Sequence, residues 1–402
     1  MCFLCYSAAY IGRLNLSASL TAVSRSMVIS DTQAGLFQTV FALVYAVGQV
    51  VNGSLADRIS PRRYISAGLF LSATCNMLFG LTDSFWLRIV LWGINGGSQS
   101  MLWTPIVKLL ATWFRDKSRE RASFGLSMTI VIGHAAAWAI AGALSAAAQW
   151  QFAFYVPAGI LALVGLAAVL LLRDVPEKKH PTKKKARHAD TPVMPLRWLF
   201  HTTGLSALLF CAVCNGFVRD GITTWAPTIL AQKQSGLTIH STLLSLLIPL
   251  LNLFGILLGK KGYRLFHGGS RRAVGWLLLS SGALVILLLV SKEMGVAVCA
   301  VLMGLCCAAN YGANPLLTTL IPMEYEQSGR VGLVAGLMDC FIYLGSALAG
   351  VATGALSDAA GWMGVYGLWG IFSFLGAALA FLAIRGCTAL SEAEKATREI
   401  ET

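Results

Sequence analysis

The chain has 402 residues, of which 56% are hydrophobic and 12% are charged, and its mean hydropathy is +0.69. A water-soluble domain carries roughly 25% charged residues, so the composition excludes a chain of soluble domains and indicates an integral membrane protein. The formal net charge is +13, but the basic residues lie between apolar stretches, which argues against a nucleic-acid-binding surface.

Apolar stretches long enough to cross a bilayer recur along the whole chain. About 20 helical residues, at about 1.5 Å each, span a hydrocarbon core of roughly 30 Å. We predict an all-α polytopic fold with twelve transmembrane helices at 2–23, 32–56, 64–83, 86–113, 122–146, 150–172, 199–231, 238–259, 272–291, 294–318, 331–356 and 362–385.

The loops between these predicted helices differ strongly in basic content. Lys and Arg number 21 in the loops on one side and 4 in the loops on the other, before the C-terminal tail is added. Basic loops stay in the cytoplasm during insertion. We therefore expect a plasma-membrane protein of bacterial type with both termini in the cytoplasm.

The predicted helices divide into two halves of six. The division gives an N-terminal bundle 1–172, a cytoplasmic linker 173–197 rich in Lys, His and Pro, a C-terminal bundle 198–385 and a tail 386–402. The halves echo each other at an offset near 206 residues, which pairs Arg13 with Arg219 and Gly53 with Gly259. Repeated halves with a binding site between them are typical of secondary transporters.

Arg13 and Arg219 lie at corresponding places within predicted transmembrane helices. A charged arginine in the bilayer centre costs about 2.5–3.5 kcal/mol on insertion scales, so each should face a cavity or a partner. Asp220 follows Arg219 directly, but neighbours on a helix point about 100° apart and do not face each other. We therefore expect the two guanidinium groups to be available to an anion; pairing with backbone carbonyls or with a carboxylate on a neighbouring helix is the alternative.

The segment after the second predicted helix carries a recognisable signature. Gly53-Ser-Leu-Ala-Asp57-Arg58-Ile-Ser-Pro-Arg62-Arg63 resembles the loop between the second and third helices of the major facilitator superfamily. The resemblance implies that Gly53, Asp57, Arg58 and Arg62 form a conformation-dependent gate. A simple topology anchor is the other interpretation.

More specific matches run along most of the chain. Tyr10-Ile-Gly-Arg13-Leu-Asn15, Asn95-Gly-Gly-Ser-Gln99-Ser-Met-Leu-Trp103-Thr-Pro105 and Val218-Arg219-Asp220-Gly221-Ile-Thr-Thr-Trp225-Ala-Pro227 resemble the organophosphate:inorganic phosphate antiporter family. That family includes glycerol-3-phosphate and hexose-6-phosphate exchangers and a transporter-like sensor of external sugar phosphate.

The resemblance implies a phosphate site held by Arg13 and Arg219, with His134 assisting. The glycerol-3-phosphate exchanger has a lysine after its first arginine and another on its second helix, where this chain has Leu14 and Gln49. Further polar and aromatic side chains are predicted to line the site: Tyr10, Gln49, Asn95, Gln99, Trp225 and Tyr343. Asp339 is expected to partner an arginine or lysine, and Lys108 either reaches the membrane surface or lines the inner vestibule.

The sequence therefore favours a secondary transporter, not an enzyme, that exchanges an organic phosphate for inorganic phosphate by alternating access. An organic-anion (sugar acid or carboxylate) proton symporter and a sugar-phosphate sensor remain alternatives. No metal or cofactor is predicted, since the CxxC pairs at Cys2 and Cys211 have no accompanying histidine cluster. The expected partners are a small anionic substrate and the lipid bilayer, with no nucleic acid, and we expect a monomer.

Overall fold

The computed structural model describes residues 1–55, 59–114, 116–147, 149–174, 200, 204–234, 243–266, 269–290, 295–325 and 331–384. Within these ranges every regular element is a helix. The all-α polytopic fold predicted from hydropathy is confirmed.

The helices, numbered in chain order, are α1 Cys2–Met27, α2 Asp31–Leu55, α3 Pro61–Leu81, α4 Phe85–Ser100, α5 Trp103–Trp113, α6 Asp116–Ala147, α7 Phe152–Leu171, α8 Leu205–Lys233, α9 Leu247–Leu265, α10 Ser270–Val290, α11 Val296–Pro315, α12 Ile321–Met323 and α13 Val331–Leu382. A π-helical turn, Leu316–Leu320, joins α11 to α12.

Nine helical stretches in the described part of the chain are long and apolar enough to cross a membrane, and they coincide with ten of the twelve predicted spans. The longest, α13, covers the last two predicted spans and is interrupted at Gly361, where φ is 67°. Glycine adopts this left-handed conformation without steric cost. The two remaining predicted spans coincide with α1 and with α4 and α5 together.

The prediction of one continuous helix over 86–113 is wrong in one respect. The helix ends at Ser100 and a new one begins at Trp103. Pro105 follows shortly after the break, and it has no N–H to donate to the carbonyl four residues earlier. The proline therefore separates α4 from α5.

Packing within each predicted half is extensive. In the first half α1 packs on α6 and α7, and α3 packs on α4 and α7; in the second, α8 and α10 pack on α13 and α9 packs on α11. The halves meet where α2 lies along α13, α6 along α9 and α1 along α8. Most of the predicted linker 173–197 and the whole predicted tail 386–402 lie outside the described residues.

The contact between α2 and α13 depends on glycine. A Cβ atom on Gly35 would lie 2.1 Å from the carbonyl oxygen of Gly350, and one on Gly354 would lie 2.2 Å from the carbonyl oxygen of Asp31. Small residues let helix backbones approach closely in a membrane. The two helices are thus in direct backbone contact at the end where α2 begins.

Candidate functional site

A cavity of about 520 Å³ lies between the predicted halves, lined mainly by residues of α1, α2, α8, α11 and α13, with single residues or pairs from α5, α6, α9 and the π-helical turn. Among the described lining residues the charged side chains are Arg13, Arg219, Asp220 and Asp339. The cavity therefore brings together the two predicted arginines and two carboxylates.

The cavity reaches one end of the helix bundle and is closed at the other. Its lining extends to Val50 near the end of α2 and to Ala335 near the start of α13, and Val50 is 67% exposed. At the opposite end Ser17 donates hydrogen bonds to the carbonyls of Thr223 and Thr224 at 2.6 and 2.9 Å. That end is closed further by the glycine contacts between α2 and α13.

Arg13 projects from α1 into a group of aromatic rings. Its guanidinium carbon lies 5.0 Å from the ring centre of Phe41, 5.1 Å from that of Tyr45, 5.7 Å from that of Tyr343 and 5.9 Å from that of Tyr10. Within the ranges that the structure describes, the guanidinium forms no ion pair within 4 Å. Cation–π attraction supports the charge, and its N–H groups remain available to an anion.

Arg219 is held differently, and our expectation that it would not pair with Asp220 is wrong. The Arg219 Nε and Nη2 atoms donate to the two carboxylate oxygens of Asp220 at 2.7 and 2.8 Å, and Nη1 donates to Asn314 Oδ1 at 2.5 Å. The arginine side chain is long enough to bridge the angle between neighbouring positions. An anion must therefore compete with Asp220 for this guanidinium.

Asp339 lines the cavity from α13 and forms no ion pair within 4 Å in the described part of the chain, while Arg219 and Arg13 act on its carboxylate from further away, so its partnership with an arginine or lysine stays a prediction. Tyr343 lies four residues further along α13, on the same helix face. The Tyr343 ring is 4.4 Å from the Tyr45 ring, and Gln49 donates to the Tyr45 hydroxyl at 2.8 Å.

The cavity thus contains five of the predicted binding residues: Tyr10, Arg13, Gln49, Arg219 and Tyr343. It also contains Tyr45, Tyr311 and Asn314, which the sequence analysis did not single out. A signal was available for Tyr45, since it lies one helical turn before Gln49 on the same face. Tyr311 and Asn314 are likewise three residues apart on α11.

Three other predicted binding residues lie between helices and not on the cavity. Asn95 donates to the Gly12 carbonyl at 3.0 Å, and Gln99 donates to the Ala9 carbonyl at 3.0 Å, so both amides tie α4 to α1. Trp225 is fully buried with its ring 5.7 Å from that of Trp362. Their role in binding stays a prediction, while their observed contacts are structural.

His134 is also absent from the cavity lining. It is 1% exposed, and its ring lies edge-on to Trp138 at 4.4 Å between ring centres. Its Nε2 atom has no hydrogen-bond partner in the described structure. Lys108, half-buried on α5, also lies outside the lining.

Two of the four predicted gate residues belong to the described part of the chain. Asp57 and Arg58 lie outside the described residues, and Gly53 belongs to the last turn of α2. The Arg62 backbone N–H donates to Asp174 Oδ1 at 3.0 Å. This contact ties the start of α3 to the residues that follow α7.

No group of three His, Cys, Asp or Glu side chains that could hold a metal ion occurs in the described ranges. A second hollow of about 690 Å³ lies beside the start of α1 and is lined mainly by apolar side chains such as Phe3, Leu110 and Trp113. The charged cavity is therefore the candidate site, and it suits a small anion.

Comparison with known proteins points in the same direction. The sequence model of the Major Facilitator Superfamily matches residues 2–323. The chain is 26% identical to the glycerol-3-phosphate transporter of Bacillus subtilis over 409 residues, covering 95% of this chain and 90% of that protein. It is 23% identical to the membrane sensor protein UhpC of Escherichia coli, covering 90% and 85%.

Among solved structures, the fold is similar to that of a bacterial homolog of the human lysosomal transporter Spinster in an inward-facing and unoccupied conformation. The TM-score is 0.80 at 17% identity, covering 97% of this chain and 96% of the other. At this identity the likeness concerns the fold alone.

Proposed function

We propose that this chain, which belongs to the major facilitator superfamily, exchanges an organic phosphate for inorganic phosphate by alternating access of two six-helix halves. The observation that carries the proposal is the Arg13 guanidinium, which faces the cavity among aromatic rings without a carboxylate partner in the described structure. The glycerol-3-phosphate transporter among the relatives supports a phosphate ester of glycerol-phosphate or sugar-phosphate type.

The chemistry of the cavity suits a phosphate monoester. Such a group carries about −1.5 to −2 charges near pH 7 and offers three acceptor oxygens. A guanidinium fork binds two of these oxygens at once. Arg13 supplies free donors, and Arg219 supplies further donors once the phosphate displaces the Asp220 carboxylate.

The Arg219–Asp220 pair changes the explanation for exchange. Two unpaired arginines would repel each other in an empty cavity and would oppose closure around it. Because Asp220 already offsets one of these charges, we attribute the coupling to Arg13, whose guanidinium has no carboxylate within 4 Å in the described structure. An organic phosphate is the anion that pairs with Arg13 during inward transport, and inorganic phosphate is the anion that pairs with it during the return.

In this proposal the observed conformation opens to the cytoplasm. The cavity reaches the end where α2 ends and α13 begins, which is the side of the strongly basic loops. The contacts of Asp31, Gly35 and Gly350 then close the outer side. Transport requires these contacts to separate while the inner ends of the helices come together.

Exchange in proteoliposomes tests the function. Vesicles containing the protein are loaded with labelled inorganic phosphate, and glycerol 3-phosphate or glucose 6-phosphate is added outside. We expect rapid efflux of label with either ester and slow efflux with gluconate, a sugar acid without phosphate. Efflux that ignores phosphate esters, together with proton-driven uptake of gluconate, would overturn the proposal.

A sensor of sugar phosphate is a second candidate because the chain also resembles the membrane sensor UhpC over most of its length. A sensor binds phosphate esters in the same cavity without moving them at a useful rate. Binding of glucose 6-phosphate without measurable exchange would therefore favour the sensor.

A further inference from the structure

We propose that the cavity selects phosphate esters that also carry an amine, and that Asp339 binds the ammonium group of such a substrate. The inference deepens the proposed transport of organic phosphates and rests on it. Amino-sugar phosphates and phosphorylated amino alcohols belong to this class.

The first support is the charge balance of the cavity. Arg13 and Arg219 contribute two positive charges, and Asp220 and Asp339 contribute two negative charges. The described lining is therefore neutral in sum, whereas an ordinary phosphate ester brings close to two negative charges. A substrate with its own cationic group leaves a smaller uncompensated charge in a cavity of low polarity.

The second support is that Asp339 has no close ion-pair partner among the described residues, although the charges of Arg219 and Arg13 reach it from further away. It is the only one of the four charged lining residues on α13, and no cation of the described structure lies within 4 Å of its carboxylate. A carboxylate at the wall of a membrane cavity is unfavourable without a partner. Arg13, by contrast, already has aromatic neighbours, and Arg219 already has Asp220.

The third support is the space beside this carboxylate. Ala335 and Gly336, one turn before Asp339, also line the cavity and are small. A Cβ atom on Gly336 would meet no atom within 4 Å. The cavity therefore has room for a ligand group next to Asp339.

The fourth support is the relation of Asp339 to the arginine. Tyr343 lies one turn further along the same face of α13, and its ring centre is 5.7 Å from the Arg13 guanidinium carbon. One helical turn rises about 5.4 Å, so Asp339 and the Arg13 guanidinium are both neighbours of Tyr343 in the same cavity. A phosphate on Arg13 leaves the ligand's amine free to reach Asp339 past the Tyr343 ring, which itself attracts cations.

Competition binding tests the inference with a matched pair of ligands. Glucosamine 6-phosphate and glucose 6-phosphate differ only in an ammonium group in place of a hydroxyl, provided that the assay is run below the pKa of the sugar amine. Each compound displaces labelled inorganic phosphate from the purified full-length protein. Since a charge-assisted hydrogen bond is at stake, we expect the amino sugar to be effective at about a tenfold lower concentration.

Asp339→Asn should reduce this preference to within about threefold, because the amide keeps the shape and loses the charge. Asp83→Asn is the matched control: Asp83 is fully exposed and lies between α3 and α4, outside the cavity lining. It should keep the tenfold preference. Thermal unfolding of each variant checks that it is folded.

The possible failures are distinguishable. If labelled phosphate does not bind to the folded wild-type protein, the proposed function itself is wrong. If phosphate binds and the two sugar phosphates compete equally in the wild type, only the amine selectivity is wrong, and this comparison needs no variant. If folded Asp339→Asn keeps the tenfold preference for the amino sugar, Asp339 does not bind the ammonium group. The same conclusion follows if Asp339→Asn changes only the pH dependence of phosphate binding.

Discussion

Two adjacent residues on α8, Arg219 and Asp220, form an ion pair that determines how the second arginine meets an anion. Both side chains are buried, and the two N–H···O contacts of 2.7 and 2.8 Å have the bidentate form that a phosphate would otherwise adopt. The carboxylate therefore occupies the donors that a phosphate needs. Binding at Arg219 is an exchange of one anion for another, whereas binding at Arg13 is not.

Replacing the competing carboxylate should strengthen phosphate binding. In Asp220→Asn the side chain keeps its size but no longer holds Arg219 by charge, so we expect the affinity for inorganic phosphate to rise about tenfold. Displacement of labelled phosphate from the purified protein measures this effect. Asp83→Asn, with an exposed side chain outside the cavity, should leave the affinity unchanged. Weaker binding in a normally folded Asp220→Asn would show that the carboxylate supports the site.

The sequence predicted the cavity position of the two arginines correctly, but not that of the uncharged amides. A membrane arginine must find a cavity or a partner, and Arg13 and Arg219 both lie in the cavity. An uncharged amide such as Asn95 or Gln99 can instead be satisfied by a carbonyl of a neighbouring helix. Sequence spacing does not distinguish an amide that lines the cavity from one that bonds to a neighbouring helix, because it does not specify which helix lies opposite.

At the scale of helices, the start of α2 is capped by a residue from α13. Asp358 accepts hydrogen bonds from the backbone N–H groups of Asp31 and Thr32 at 3.0 and 2.8 Å and from the Thr32 hydroxyl at 2.5 Å. The first N–H groups of a helix have no partner within that helix, and a carboxylate there is favourable. The cap therefore joins the predicted halves at the closed end of the cavity.

Loss of this cap should open the closed end. Asp358→Ala removes three hydrogen bonds between α2 and α13, and we expect faster thiol labelling of Ala34→Cys, which is 1% exposed in the observed conformation. The experiment uses a background in which the native cysteines are replaced. Asp83→Ala removes a carboxylate between α3 and α4 without this contact and should leave the labelling rate unchanged. Equal rates in the two variants would contradict a gating role for the cap.

The close glycine contacts predict two different outcomes for the same substitution. The methyl group of Gly35→Ala would push α2 away from Gly350 of α13, a contact between the two predicted halves. We therefore expect increased labelling of Ala34→Cys with the fold preserved. Gly216→Ala places a methyl group 2.0 Å from the Ile342 carbonyl oxygen, inside the second predicted half. Overpacking of this kind costs about 1–3 kcal/mol, and thermal unfolding should detect the loss.

Gly159→Ala is the control for both substitutions, since its Cβ atom would meet nothing within 4 Å. It should change neither labelling nor thermal stability appreciably. If Gly35→Ala lowers thermal stability as Gly216→Ala does and leaves labelling unchanged, the α2–α13 contact is part of the fixed core and not a moving interface.

Hydropathy placed the helices well but not their ends. It measures the apolar length that lipid requires, and α1 continues past its predicted end at 23 to Met27, where Val28 adopts a left-handed conformation. Breaks follow from backbone chemistry instead. Pro105 and Gly361 mark them in the sequence, but only the packing decides whether a proline or glycine interrupts a membrane helix.

At the scale of the whole molecule, the open end of the cavity coincides with the basic side of the chain. Lys260 and Arg264 on α9 are exposed at the end of the bundle where α2 also terminates. Lys233, the last residue of α8, lies at the other end of the bundle. From the positive-inside rule we propose that the opening faces the cytoplasm. This orientation decides which helix contacts form the inner and outer gates.

Thiol labelling in intact cells tests the orientation. Most of the predicted linker 173–197 falls outside the described residues, so the cysteines are introduced at exposed helical positions. Arg264→Cys should react with a membrane-impermeant reagent only after the cells are opened, and Lys233→Cys should react in intact cells. The reverse pattern would invert the topology and exchange the two gates.

The central claim is that an anion binds at the arginines of the cavity. The most direct test is the thermal stability of purified protein at increasing concentrations of inorganic phosphate, because a ligand that binds only the folded state stabilises it by RT ln(1 + L/Kd), which depends on the ligand concentration L relative to its dissociation constant Kd. Arg13→Lys and Arg219→Lys keep the charge and lose the bidentate fork, while Arg25→Lys alters an exposed arginine at the end of α1. We predict that each cavity variant needs at least about ten times more phosphate than the wild type for the same stabilisation, and that Arg25→Lys behaves as the wild type. Cavity variants that fold normally and are stabilised by phosphate as strongly as the wild type would contradict the account.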